Sequence, residues 1–306
     1  DAATYRPKAG APYYMGQSGR YQLGGDWYVK RDTAKVGVKQ RWNRTTNFSS
    51  WDKISIPYAF NAGDTSGLSY TGYVAWYATE FRRPSNGRNW IFSFDNVNLN
   101  ATFYLNGRKI GSHRGGYLPF DIPAKNLRGG KNRLVVRIDS SLTSYSIPSV
   151  EERSDQLTGG WWNFGGILRE VVLRKVNKYD ITTLTTRASY RSKKGPATIT
   201  VLARVKNYSK AKRTKIRLRG SYGGRKISFR TTVMRRGATA ELTGRVRIRK
   251  PKLWEPGSPH LYKVKVSLPG VSYREKAGIR KITVNKGVLR VNGKRTRFRG
   301  VSFHES

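Results

Sequence analysis

Trp161-Trp162-Asn163 is the segment of this sequence best equipped to bind a ligand: two adjacent indoles and an amide within a Gly-rich stretch. Sugar rings present apolar C–H faces that pack on aromatic planes, while polar neighbours fix the hydroxyls. That is binding chemistry rather than bond breaking. Acid–base chemistry needs carboxyl groups held in place. Glu151, Glu152 and Asp155 cluster in a Ser-rich stretch that reads as a solvated acidic loop. The three histidines, His113, His260 and His304, include no two at metal-ligand spacing, so no metal site is expected. Cysteine is absent, which removes thiol nucleophiles, disulfides and thiolate–metal sites together. Gly115-Gly116 and Gly165-Gly166 do not open helices, as phosphate cradling would require, and no cofactor is expected.

The elements that must hold these residues are strands. Apolar and polar residues alternate over short stretches broken by Gly, Asn, Asp and Pro, the rhythm of sandwiches and barrels. Trp90–Phe94, Ala101–Leu105 and Arg133–Ile138 are the clearest strands of a first series. Asn106-Gly107 supplies the positive φ angles of a tight hairpin turn, with Lys109–Gly111 returning. A second series contains Ala197–Ala203, Thr214–Arg219, Ala240–Thr243 and Leu261–Val266, about seven short strands in roughly 100 residues, which suits an immunoglobulin-like sandwich. The boundary between the two falls at residues 176–181. Trp27, Trp51, Trp76 and Trp90 read as sandwich core, and Trp254 as packing between domains.

The chain carries 60 basic and 18 acidic residues among 306, a net charge of +42. Residues 1–178 hold 26 basic against 13 acidic, and residues 179–306 hold 34 against 5. Lys215, Arg217 and Arg219 alternate with Ile216 and Leu218, as Arg245, Arg247 and Arg249 do with Val246 and Ile248, so strand periodicity sends the cations to water. No zinc-finger spacing, recognition helix or RNA-binding signature accompanies them, which argues against specific nucleic-acid recognition; such a field would attract nucleic acid, anionic lipid or acidic polysaccharide non-specifically, with an acidic polysaccharide as the partner hypothesis. No apolar run approaches the ~18 residues of a membrane-spanning helix. Asn43, Asn47, Asn100 and Asn207 fit the N-glycosylation pattern. The opening Asp1-Ala2-Ala3 suits the mature end of an exported protein whose leader has been removed, with a cytoplasmic location as the alternative.

Seven segments, in order, resemble the N-terminal half of glycoside hydrolase family 2, which includes β-galactosidases, β-glucuronidases and β-mannosidases. They are Leu23–Trp27 with Trp51 and Ile56-Pro57; Gly72–Tyr77 leading to Glu80–Pro84; Ala101–Gly107 with Gly111–Ile122; Trp161–Val171; Leu253–Tyr262; Gly278–Arg280; and Leu289–Lys294 with Arg299–Glu305. The resemblance implies an all-β chain: a jelly-roll sugar-binding-like domain over 1–178, an immunoglobulin-like β-sandwich over 179–282, and over 283–306 the start of a truncated (β/α)8 barrel, with Phe298–Phe303 as its first strand. A complete barrel needs about 250 residues.

Retaining glycosidases use two carboxyl groups about 5–5.5 Å apart. By resemblance both are glutamates on barrel strands beyond Ser306, so no catalytic residue is assigned here and the chain alone is expected to be inactive. His304 and Glu305 would lie at the sugar-facing end of the first barrel strand, and Trp161, Trp162 and Asn163 in a loop that approaches the barrel; these five are the substrate-binding candidates. Many members carry an acid just before the aromatic pair, where this chain has Gly160. The implied partners are a β-linked carbohydrate and the catalytic barrel in the same polypeptide. A free-standing carbohydrate-binding module and a basic polyanion-binding adhesion protein are the alternatives.

Overall fold

A computed structural model describes residues 4–5, 15–85, 87, 89–146 and 162–302. Among the described residues the chain divides into two compact units, one of Thr4–Tyr5 with Arg20–Lys175 and one of residues 15–19 with Val176 onward.

The first unit is a sandwich of two antiparallel sheets. Thr4–Tyr5, Arg20–Leu23, Val171–Val176, Asn89–Phe94 and Phe120–Pro123 lie side by side in one; Arg108–Arg114, Asn100–Leu105, Lys131–Asp139, Val74–Arg82, Trp27–Arg31 and Asp52–Ile54 form the other. The Val74–Arg82 strand explains the architecture. It is buried almost throughout, which a strand achieves only with both faces covered. Ala75, Tyr77 and Phe81 join Phe92, Phe94 and Phe103 in the core between the sheets. Val74, Trp76 and Ala78 point the other way, into a second cluster with Phe48 and Trp51 from the segment that follows Trp27–Arg31. The Trp76 indole donates to buried Asp32 at 2.8 Å, and Asp32 also accepts from the backbone N–H groups of Val36 and Gly37. A buried carboxylate is tolerable when several donors surround it. Trp27, Trp51, Trp76 and Trp90 are all core, 0 to 8% exposed, as the alternation predicts.

Asn106 and Gly107 both take positive φ, 52° and 81°, and return the chain into Arg108–Arg114, a longer strand than the Lys109–Gly111 expected. A short α-helix, Gly67–Thr71, interrupts this unit, started by the Ser66 hydroxyl accepting from the N–H of Ser69.

The second unit is also a two-sheet sandwich. Tyr179–Ser189, Ala197–Asn207, Thr239–Ile248 and Ser228–Phe229 make one sheet; Gly16–Gln17, Val271–Ala277, Tyr262–Leu268, Arg219–Tyr222 and Arg225–Lys226 make the other. Gly16–Gln17, which the 1–178 boundary would assign to the first domain, is an edge strand of this sheet, paired with Tyr273 and Arg274. Alternation is regular: Val246 and Ile248 are buried while Arg245 and Arg247 are exposed.

Thr214–Arg219, expected as one strand, is two. Arg213–Ile216 pairs with Thr232–Arg235, whereas Arg219–Tyr222 pairs with Tyr262–Leu268. Ile216 and Leu218 stay buried across the break, so the inward–outward alternation continues while the ladder partner changes. Periodicity reports which face is apolar and carries no information about the neighbour. Asn207 is likewise corrected as a glycan acceptor: it is fully buried and donates to the carbonyls of Met234 and Arg235.

Ile282–Asn285, Val288–Val291 and Lys294–Arg295 form a three-stranded antiparallel meander. Buried Asn292 ties it down, accepting from the Tyr190 hydroxyl at 2.6 Å and donating to the Trp254 carbonyl at 2.9 Å. Trp254 itself packs on Gly278 and lies under the Arg280 guanidinium, all within this unit. The strand expected to begin at Phe298 has no ladder among the described residues, and Phe298 and Val301 are 75% and 93% exposed. An isolated extended segment without a neighbouring strand has nothing to satisfy its backbone groups except water.

Candidate functional site

The loop entering Gly166–Ile167 is the part of the aromatic segment that the structure describes. It is held by amides. Asn61 and Asn98 reach it from different parts of the first unit, and Ser140 from the end of Lys131–Asp139. Asn61 donates its Nδ2 to the Asn163 carbonyl at 2.8 Å and accepts the Gly165 N–H at 2.8 Å, so one side chain brackets both sides of Phe164. Asn98 donates to the Asn163 side-chain oxygen at 3.0 Å and to the Phe164 carbonyl at 2.8 Å. Asn163 in turn donates to the Ser140 carbonyl at 2.9 Å. The Ser140 hydroxyl closes the set against Tyr73, 3.2 Å from both its N–H and its carbonyl.

Every group in this set is buried or nearly so, and in a water-poor setting a completed hydrogen-bond network is rigid and an incomplete one is costly. Glycine is needed where the strands approach closest. Gly72 has φ of +90°, and a Cβ there would run into the Ser140 carbonyl and the Asn163 amide. Gly166 and Ile167 then pair with Tyr58–Ala59 on one side and Val97–Asn98 on the other, continuing the clamp into a small sheet.

Trp162 sits at the margin of this network. Its ring meets Tyr70 edge-on with centroids 5.4 Å apart, and its Nε1 lies 3.4 Å from the Ser69 hydroxyl. It is half-buried, so part of the indole stays available while Tyr70 and Ser69 fix its direction. Asn163, by contrast, is 5% exposed and turned into the protein with both ends of its amide engaged. It positions the loop. Trp161, His304, Glu305, Glu151, Glu152 and Asp155 lie outside the described residues.

None of the groups holding the loop is an acid, a base or a nucleophile poised near neutral pH. Burial raises the Tyr73 and Tyr77 phenols above their ordinary values, which keeps both protonated. The described groups can orient an aromatic face and exclude water. The other two histidines are packing residues: His113 stacks on Phe120 with centroids 3.6 Å apart, and His260 meets Tyr262 edge-on. Among the described residues no group of three or more metal-ligating side chains converges, and no helix is long and apolar enough to cross a membrane.

Asn61, Asn98, Ser69 and Ser140 are absent from the sequence-derived candidates. Asn61 falls in Asn61-Ala62-Gly63-Asp64, which has turn composition, and Asn98 lies in an unremarkable Asn-rich run. Their common target, 65 to 104 residues away, is visible only in the fold.

The fold is therefore a jelly-roll sandwich with a clamped aromatic loop, followed along the chain by an immunoglobulin-like sandwich. Residues 69–177 match the family profile "Glycosyl hydrolases family 2, sugar binding domain", and residues 179–280 match "Glycosyl hydrolases family 2". The chain belongs to glycoside hydrolase family 2. It is 31% identical over 275 residues to a Formosa agariphila protein named "Putative beta-glucuronidase", covering 86% of this chain and 32% of that protein. It is 24% identical to a β-galactosidase of Thermoanaerobacterium thermosulfurigenes, covering 93% of this chain and 40% of the relative. Among solved structures, the β-glucuronidase of Bacteroides uniformis superposes with a TM-score of 0.74 at 20% identity, over 94% of this chain and 35% of that one. The chain thus spans about a third to two fifths of the length of these relatives and corresponds to the N-terminal region of the family.

Proposed function

We propose that these residues form the non-catalytic N-terminal part of a β-glycosidase that acts by double displacement, with two barrel glutamates as nucleophile and acid–base. In this reading the Trp161–Gly166 loop is one wall of the sugar pocket, with Trp162 offering an aromatic face and Asn163 holding the loop in place. His304 and Glu305 complete the set of substrate-binding residues once the barrel is present. The observation that carries the reading is the Asn61–Asn163–Asn98 clamp, in which two buried amides and one partly buried amide fix the loop. Such local rigidity is what a pocket wall requires, because a contact misplaced by an ångström loses much of its value. The family membership supplies the chemistry, and the relatives named as β-glucuronidases and β-galactosidases supply the two substrates to try first.

The test compares residues 1–306 with a longer chain that includes the barrel, each incubated with p-nitrophenyl β-glucuronide and β-galactoside. Hydrolysis by the longer chain with retention at the anomeric carbon, and none by residues 1–306, is the expected result. Turnover by residues 1–306 alone overturns the non-catalytic assignment. Glycan-array binding by residues 1–282, together with a longer chain that hydrolyses nothing, favours a free-standing binding module.

A further inference from the structure

The break in the Arg213–Tyr222 stretch leaves a cleft of about 400 Å³ in the second unit, within the roughly 300–1,000 Å³ range of small-ligand sites. Its floor is apolar, made by Ile216 and Leu268, 3% and 6% exposed. Three cations stand around it: Lys215, Arg217 and Arg219. They occupy alternate positions of one chain segment, so they share a face, with neighbours roughly 7 Å apart along an extended backbone. Strand alternation alone would disperse such side chains into solvent. Here the change of ladder partner between Ile216 and Arg219 opens a concavity at the point where all three converge.

Two further features bear on the cleft. Among the described residues, none of the three cations has a carboxylate within ion-pair distance, as is usual in a chain with 60 basic and 18 acidic residues, so their charge is not neutralised locally. The walls are also fixed. Arg217 donates its Nε–H to the Phe229 carbonyl at 3.2 Å, which anchors the guanidinium through one of its five N–H donors. The Tyr179 hydroxyl is held 3.1 Å from that of Thr214. Three like charges kept together over a low-dielectric floor repel one another, and an anion that enters relieves the repulsion while gaining charge-assisted hydrogen bonds, bidentate at the guanidinium groups.

We infer that this cleft binds an anionic sugar residue, carrying a carboxylate or a sulfate ester, of an acidic polysaccharide. Polar walls and an apolar floor suit a sugar, which needs both hydrogen bonds and a surface for its C–H face. The inference takes only its choice of sugars from the family reading. Binding by the present chain says nothing about hydrolysis, so the two stand or fall separately.

The test titrates the chain at 150 mM salt with short ligands, to limit long-range steering: a trimer of β-1,4-linked mannuronate, a sulfated galactan tetramer, neutral cellotriose, and sodium sulfate. Two triple variants lose the same charge from different parts of this unit, K215A/R217A/R219A at the cleft and R245A/R247A/R249A away from it. All six positions are exposed, and circular dichroism checks that each variant folds. The expected result is binding of one or both anionic oligomers, weakened at least tenfold by the cleft variant and less than threefold by the other, with cellotriose silent. If the mannuronate alone binds, the anion is a carboxylate; if the sulfated galactan alone, a sulfate ester. Equal losses in the two variants mean diffuse charge and overturn the inference. So do an absence of binding and a sulfate ion that competes as tightly as the oligomers. Methyl resonances of Ile216 and Leu268 in the unsubstituted chain give an independent reading: they shift with ligand if the cleft is occupied and stay still if it is not.

Discussion

Asn98 donates its side-chain amide to the side-chain oxygen of Asn163 at 3.0 Å, across 65 residues of sequence, and so ties the Val97–Asn98 strand to the loop that carries Trp162. Asn163 is 5% exposed, so this contact has no ready substitute from solvent. Replacing Asn98 by Ala removes its bonds to Asn163 and to the Phe164 carbonyl together. The expected cost is about 1–3 kcal/mol, because a buried acceptor left unpaired forfeits its desolvation energy. A urea midpoint unchanged from the parent chain would show that the loop is not held this way.

Gly72 offers a sharper test of the same clamp. Its φ of +90° and the position of the Ser140 carbonyl leave no room for a methyl group. Gly72→Ala is expected to cost about 3 kcal/mol or more, or to prevent folding, through backbone strain and displacement of Ser140 and Asn163. Gly63→Ala is the control: it also has positive φ, 78°, but a Cβ there meets nothing within 4 Å. It should cost only the strain of the conformation, about 1 kcal/mol. Equal losses in the two variants would sink the close-approach argument.

Trp162 is expected to act through substrate affinity. In a longer chain that includes the barrel, Trp162→Ala should raise KM for a β-glycoside about tenfold, while Trp162→Phe retains most of the affinity by keeping an aromatic face. Steady-state kinetics of the two variants decide this. If both variants leave KM and kcat unchanged, the indole packs against Tyr70 and does not meet the substrate.

Glu275, on the Val271–Ala277 strand, makes stability depend on pH. Burial pushes its carboxyl up to about 7 from an ordinary 4.5. Between those values the unfolded chain has released a proton that the folded chain keeps, so stability falls as pH rises from 4.5 to 7 and levels off above. Glu275→Gln should remove this slope and raise stability at pH 8 by on the order of 1 kcal/mol, after discounting for solvent screening of a half-buried group. Thermal melts at pH 5 and pH 8 provide the comparison. A variant whose melting point falls at pH 8 would show that the charged carboxylate is stabilised in a way burial does not describe.

Much of this protein was legible in its residue order because strand structure has a period of two. Alternation identified both sandwiches, the four core tryptophans, and the outward course of Arg245 and Arg247; Asn106-Gly107 announced its own turn through the φ angles those residues tolerate. Ordered segments pointed to the family without any coordinates, since each is a local string. Partnership was decided by the tertiary structure. Thr214–Arg219 kept its apolar phase and changed ladders midway, Gly16–Gln17 joined a sheet more than 250 residues distant in sequence, and Asn61, Asn98 and Ser140 met around Asn163. A residue's own type fixes the bonds it can make and the face it prefers. Which groups arrive to complete those bonds depends on how separate strands are brought side by side, and that information belongs to no single stretch of the chain.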